Sequence, residues 1–149
     1  MKRKINNRGA TLVEVLVTAA ILAVAVTGIL MSYLQCMELT EVAKNMSRAV
    51  QAAQTRMEQI RSTPYTTIKA TYDNIGFSVS GLNGYGASFV NDTAGDLLEI
   101  RVVVCWKQKN GRVYGEDANL NGLLNVGEDE NSNGVLDSPV MLVARLYER

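Results

Sequence analysis

Apolar residues are spaced in different ways along this chain, and each spacing predicts a different element. From Val15 to Met37 there is no charged residue. A helix over Ala10 to Leu34 would be about 37 Å long at 1.5 Å per residue, enough to cross a hydrocarbon core of about 30 Å. Beyond it the spacing becomes amphipathic. Leu39, Val42, Met46, Ala49 or Val50, Ala53, Met57 and Ile60 recur every three or four residues, while Glu41, Lys44, Arg48, Gln51, Gln54, Thr55 and Glu58 fill the other side. The helix is expected to run to Arg61 and to break at Ser62-Thr63-Pro64, because proline disfavours the helical conformation in the residue before it. Residues 65 to 96 are rich in Thr, Asn, Gly, Ser and Tyr and read as a connecting loop, with short strands near Phe77 to Ser80 and Ala87 to Val90. Strict alternation returns at Leu98, Ile100, Val102, Val104 and Trp106, with Glu99, Arg101 and Lys107 on the other face. Lys109-Asn110-Gly111-Arg112 is a hairpin turn signal, Arg112 to Tyr114 begins a return strand, and Val140 to Tyr147 alternates again. The expected fold class is α+β, a long amino-terminal helix whose second half packs on one face of a small antiparallel sheet.

Charge orients the apolar stretch. Lys2, Arg3, Lys4 and Arg8 precede it with no acid among them, so the positive-inside rule keeps residues 1–9 in the cytoplasm and sends the rest across the membrane. A secretory signal fits less well, because its apolar region is shorter and ends in a small-residue cleavage site. The carboxylate of Glu14 near the start of this helix costs a few kcal/mol in lipid and is a functional candidate for that reason, although a negative charge there also meets the helix dipole favourably.

The run Gly9-Ala10-Thr11-Leu12-Val13-Glu14-Val15-Leu16-Val17 resembles the type IV prepilin signature, a basic leader ending in Gly followed by a helix whose fifth residue is Glu. The resemblance implies cleavage between Gly9 and Ala10 by a prepilin peptidase, N-methylation of Ala10, and assembly with other pilin or pseudopilin subunits at an inner-membrane platform. The product is a filament with a core of such apolar helices. In that reading Glu14 pairs with the Ala10 ammonium of a neighbouring subunit and sets its register. Ala10 stands where Phe is usual, and no Pro interrupts the apolar half, where only Gly28 offers a soft point; both departures lean toward a minor pilin or pseudopilin. The segment Ala49 to Arg61, with Met57-Glu58-Gln59-Ile60-Arg61 before Pro64-Tyr65, is also similar to minor pilins of the V type and to I-type minor pseudopilins of type II secretion. The implied organisation is a leader over 1–9, a transmembrane and filament-core helix over 10–34, and a globular domain over 35–149. The globular domain is expected in the periplasm or outside the cell.

Composition sharpens this. The chain has 15 basic and 15 acidic residues, and the leader takes four of the bases, leaving a net negative mature chain with no basic patch for nucleic acid. The two cysteines, Cys36 and Cys105, would lie on the oxidising side, either joined or as two buried free thiols.

Residues 116–138 interrupt the last strands with a pattern of their own. Asp117, Asn119, Asn121 and Asn125 occupy positions one, three, five and nine of a twelve-residue calcium loop, with Gly122 at six, the Leu123 carbonyl at seven and Glu128 at twelve. A second loop follows at once with Asp129, Asn131, Asn133, Gly134, Val135 and Asp137 in the same places, but Val140 stands where its bidentate Glu should be. Six acids and no base fall between Glu116 and Asp137, a density that favours a bound cation. The bland alternative is a set of solvated Asn-Gly turns. Because Asn replaces many carboxylates, Ca2+ is expected to bind weakly, at about 0.1 to 1 mM, as in extracellular modules.

Catalysis is not expected: the chain has no histidine, no nucleophile motif around either cysteine and no glycine-rich phosphate loop. Two readings of different class remain, a filament subunit and a monomeric membrane-anchored calcium-binding module for an extracellular ligand. Only the first needs a processed amino terminus at Ala10.

Overall fold

The computed structural model describes residues 11–92 and 96–148, so the processing pair Gly9 and Ala10 lies outside the described residues. Residues 1–41 and 42–149 form two separate compact units. The long helix α1 (Leu12–Arg61) begins in the first. Every described residue from Thr11 to Thr40 is exposed, and this stretch is long and apolar enough to cross a membrane. Its serine and threonine hydroxyls are paired within the helix. Thr18, Thr27, Ser32 and Thr40 donate to carbonyls three or four residues earlier at 2.9, 2.8, 2.9 and 2.7 Å, which removes the cost of placing free hydroxyls in an apolar medium.

In the second unit α1 buries Ala49, Ala53, Met57 and Ile60, four positions of the expected stripe. Met46 remains 43% exposed, so the packed part of the stripe starts at Ala49. The chain then departs from the expected loop. Pro64 caps a second helix, α2 (Tyr65–Tyr72), whose Ile68 is buried. Two strands follow, β1 (Ile75–Ser78) and β2 (Gly84–Asp92), and β2 is twice as long as the alternation suggested. Gly76, Gly84 and Gly86, which in sequence look like breakers, are sheet positions. Phe77 pairs with Gly86 across the strands, and a side chain on Gly86 would collide with the Phe77 ring. Bare backbone at Gly86 is therefore the seat for an aromatic ring.

β3 (Leu97–Lys107) is the centre of the antiparallel sheet. β2 lies along one side of it, while β4 (Val113–Tyr114) and β5 (Val140–Tyr147) lie along the other. Alternation sorts the two faces as expected: Leu98, Ile100, Val102, Val104 and Trp106 join the helix residues in one core. Burying each such side chain fully contributes about 1.5–3 kcal/mol.

β4 meets β3 at Lys107 and Trp106, and β5 meets it from Val104 onward, so the two are halves of one interrupted edge strand. Residues 115–139 leave that strand and return to it. They cover the face of the sheet opposite α1, where Leu136, Leu120 and Leu124 pack on Ala87, Val103 and Cys105 as a second small core. Gly115 makes the exit with φ +103, and a side chain there would run into the Cys105 sulfur. A long helix on one face of a small antiparallel sheet is the expected α+β arrangement and matches the pilin fold.

Candidate functional site

The amino-terminal candidate is built on the first turn of α1. The Thr11 hydroxyl accepts the backbone N–H of Glu14 at 3.3 Å, which closes one of the open donors of the helix start. Thr11 and Glu14 are the first and fourth residues of a capping-box sequence, a signal the periodicity of the apolar run conceals. Glu14 thus belongs to the first turn of α1, where the helix dipole favours its charge.

The second candidate is the excursion over 115–139. Asp117 is fully buried, and its two carboxylate oxygens accept the backbone N–H groups of Asn121 at 2.9 Å and Gly122 at 2.7 Å. Twelve residues later Asp129 does the same with Asn133 at 3.0 Å and Gly134 at 2.8 Å. The backbone repeats as well: Leu120 and Ser132 have φ of 58 and 59, and Gly122 and Gly134 have φ of 77 and 72. The twelve-residue repeat in sequence is therefore a repeat in conformation.

Within the first loop the oxygens gather. The Asn125 amide nitrogen lies 3.0 Å from Glu128 Oε2, 3.2 Å from the Leu123 carbonyl and 3.3 Å from Asn121 Oδ1. Oxygens of positions five, seven and twelve thus converge on one point, now held by an amide. Glu128 also accepts the backbone N–H groups of Asn119 at 3.3 Å and Asn125 at 2.9 Å. Burial pushes the Glu128 carboxyl up, but hydrogen bonds from the Asn125 side chain and from the Asn125, Asn119 and Ala118 backbone outweigh it and hold the carboxyl below its ordinary range. Asn119 takes part through its backbone.

The second loop closes differently. With Val140 in β5, Asp137 takes the closing role, and its Oδ2 accepts the amides of Asn131 at 2.8 Å and Asn133 at 2.7 Å. Val135 contributes its N–H, donated to Asn133 Oδ1 at 2.7 Å. Glu116, outside both motifs, ties the loops together: its carboxylate accepts the N–H groups of Glu130 at 3.2 Å and Asp137 at 3.1 Å. Its own N–H reaches the Asp137 carbonyl at 2.8 Å and closes the neck of the excursion. Among the described residues, no three side chains of Asp, Glu, His or Cys gather as they would around a metal ion. The oxygen set of each loop is mostly amide and backbone, a donor set suited to a hard cation and of low charge.

Both cysteines are free, and Cys36 is exposed where two buried thiols were an expectation. Burial pushes the Cys105 thiol up to about 11, so it is un-ionised at neutral pH and inert beneath the excursion.

The family model described as the prokaryotic N-terminal methylation motif matches residues 4–30. No curated protein and no solved structure gives a significant match to the chain. The matched segment contains Gly9, Ala10 and Glu14 together with most of the apolar stretch. That motif points to a type IV pilin-like protein, a structural subunit processed by prepilin peptidase, whose apolar helix fits a membrane anchor.

Proposed function

We propose that this chain is a minor pilin or pseudopilin. It is cut between Gly9 and Ala10, methylated on Ala10, held in the inner membrane by α1, and drawn through an assembly platform into a type IV pilus or a type II secretion pseudopilus beside other such subunits. One observation carries the reading: the methylation motif coincides with a capped helix start at Thr11 and an apolar, wholly exposed first half of α1. An exposed apolar helix of this length needs lipid or other helices around it. Mass spectrometry of the mature protein should find methylated Ala10 as its first residue. An intact Met1 on the extracytoplasmic protein would leave the monomeric anchored module as the better reading.

Glu14 supplies the register in this proposal. An unpaired carboxylate in the bilayer costs about 2.5–3.5 kcal/mol on insertion scales, and pairing with a neighbour's Ala10 ammonium offsets that cost only after docking. Glu14→Gln is therefore expected to insert as well as the wild type or better, while its recovery in sheared filaments falls about tenfold, the equivalent of 1.4 kcal/mol of lost pairing. Wild-type recovery of Glu14→Gln in filaments would remove pairing as the reason for this residue.

The excursion over 115–139 is proposed to bind Ca2+ in its first loop. Asp117, Asn119, Asn121, the Leu123 carbonyl, Asn125 and Glu128 are the ligands, with Asn125 turning its oxygen to the ion. The convergence of three oxygens on the Asn125 amide supports this. The second loop, with Asp129, Asn131, Asn133, the Val135 carbonyl and Asp137, is proposed as the weaker site. Calcium at ten times its dissociation constant should stabilise the detergent-solubilised protein by about 1.4 kcal/mol. Glu128→Ala should remove most of that gain, and so should lowering the pH until Glu128 is protonated. Its depressed pKa means that its contribution is present above the ordinary carboxylate value and is lost as pH falls through the folded one. Calorimetry showing no heat of binding at millimolar calcium would reduce the loops to Asn-Gly turns.

A further inference from the structure

The sheet has a second open edge, away from the interrupted strand. Among the described residues β1 has a strand neighbour on one side only, and between its other side and α1 runs a groove of about 360 Å³. Arg48, Arg56, Phe77, Ser78, Val79 and Ser80 line it, and no acidic side chain does. Arg56 lies over the rings of Tyr72 and Phe77, 4.7 and 5.0 Å from their centroids, and among the described residues it has no carboxylate partner. Its Nε is buried without a hydrogen-bond partner. Burial pulls the guanidinium pKa down, with Tyr72 opposing, so the cation is held where an arriving anion would relieve it. Arg48 donates to the Gly81 carbonyl at the turn that ends this edge.

The spacing of the two arginines selects the ligand. Eight residues along a helix separate Arg48 from Arg56, about 12 Å at 1.5 Å per residue. Along an extended strand, residues i and i+4 lie on one face and are about 13 Å apart at 3.3 Å per residue. Arg56 lies over Phe77 within β1, and Arg48 reaches Gly81 in the turn that follows the strand, so the two cations stand at successive points along this edge.

We propose that this groove binds an extended acidic peptide segment of another protein chain, which adds as a strand to the free edge of β1 and sets carboxylates at i and i+4 against Arg56 and Arg48. Main-chain hydrogen bonds to β1 supply the strand pairing, and the two charge-assisted contacts supply register and selectivity. The surface lies wholly within residues 42–149 and is independent of how the leader is processed.

The test is fluorescence anisotropy of full-length protein in neutral detergent micelles. The probe is a labelled eight-residue peptide of Thr and Val with Asp at positions two and six. Saturable binding is expected, about tenfold weaker when both Asp are replaced by Asn or when they stand at positions two and four. N-methylation of the amides facing β1 should weaken it by a similar factor, about tenfold, because those amides donate to the edge. Arg56→Gln and Arg48→Gln should each reduce affinity about tenfold, and Arg56→Lys by less, since the charge remains but the planar fork is lost. Arg48→Gln touches no ring and leaves the packing of Tyr72 and Phe77 intact, so it tests the site even if Arg56→Gln loosens the fold. Equal binding of the Asn peptide, of the N-methylated peptide or of the Arg48→Gln protein would overturn the proposal. So would full displacement of the probe by inorganic sulfate at low millimolar concentration, the mark of a small-anion site.

Discussion

Replacing Gly9 with Trp is expected to leave essentially all of the protein as full-length precursor in the inner membrane, with no methylated Ala10 and no subunit recovered outside it. A peptidase must take the residues around its cut in extended form, and α1 begins at Leu12 with Thr11 as its cap, so only a few residues are available for that grip. Glycine adds no side chain to this confined stretch. A bulky residue would have to fit between the helix start and the basic leader. The uncut leader keeps Lys2, Arg3, Lys4 and Arg8, which by the positive-inside rule are expected to keep the amino terminus on the cytoplasmic side. Insertion should therefore be normal and only maturation should fail, a combination that separates a processing defect from a folding defect. Gly9→Ala, which adds one methyl, should slow maturation without ending it. If Gly9→Trp protein matured to Ala10 at the wild-type rate, the prepilin reading would not survive.

The parts of the fold that could be read in the sequence are those in which one face is apolar and the other is not. In β3, Leu98 to Trp106 alternates because one face meets α1 and much of the other is polar, and the structure keeps that division. The second face shows where alternation stops being informative. Val103 and Cys105 are as buried as Val102 and Val104, because residues 115–139 fold over them. The five-residue apolar run Val102 to Trp106 cannot say which face has acquired a second cover. The cover itself was legible only as chemistry, since Asp117 to Glu128 has calcium-loop spacing, while Leu120, Leu124 and Leu136 sit in the variable places of that spacing. Their role as a lid on the sheet depends on where the chain returns, and that is set by β5 pairing from Val104. β1 and β2 were obscured by Gly76, Gly84 and Gly86, which lack the side chains on which strand propensity rests. At Gly76 and Gly86 the reason is the ring of Tyr85 or Phe77 on the paired strand, and at Gly84 it is the close approach of β3 at Cys105 and Trp106, contacts that only the strand pairing creates. α2 had a local signal in Pro64 followed by Tyr65, Ile68 and Tyr72 at spacings of three and four, but eight residues are too few for periodicity to outweigh the surrounding turn formers.

The largest loss of stability from one substitution is expected at Trp106. It is completely buried, stands at the last helix-facing position of β3, and stacks on Tyr114 with ring centroids 5.3 Å apart and planes within 2°. Tyr114 is its register partner in β4, a strand of two residues that holds the entrance of the excursion against the sheet. Trp106→Ala removes the whole ring system and leaves a cavity that neighbours on a rigid sheet fill poorly. The cost should be about 3–5 kcal/mol, a large part of the roughly 5–15 kcal/mol that stabilises an ordinary domain. Trp106→Phe separates volume from polarity. The indole Nε1 is buried with no hydrogen-bond partner among the described residues, and an unsatisfied buried donor costs about 1–3 kcal/mol. Phenylalanine discards that donor, keeps a ring for Tyr114, and gives up only part of the volume, so its net cost should stay below about 1.5 kcal/mol. Hydrogen exchange of the β3 amides reads both variants without relying on the single tryptophan as a probe. Protection should fall about 10²-fold or more in Trp106→Ala, at 1.4 kcal/mol per factor of ten, and by less than about tenfold in Trp106→Phe. β4 should lose protection first in the alanine variant, and the calcium-dependent gain should shrink with it, because the neck between Glu116 and Asp137 is anchored through that strand. Equal losses for Ala and Phe would mean that the indole nitrogen has a partner and that its hydrogen bond, not the ring's volume, is what Trp106 contributes.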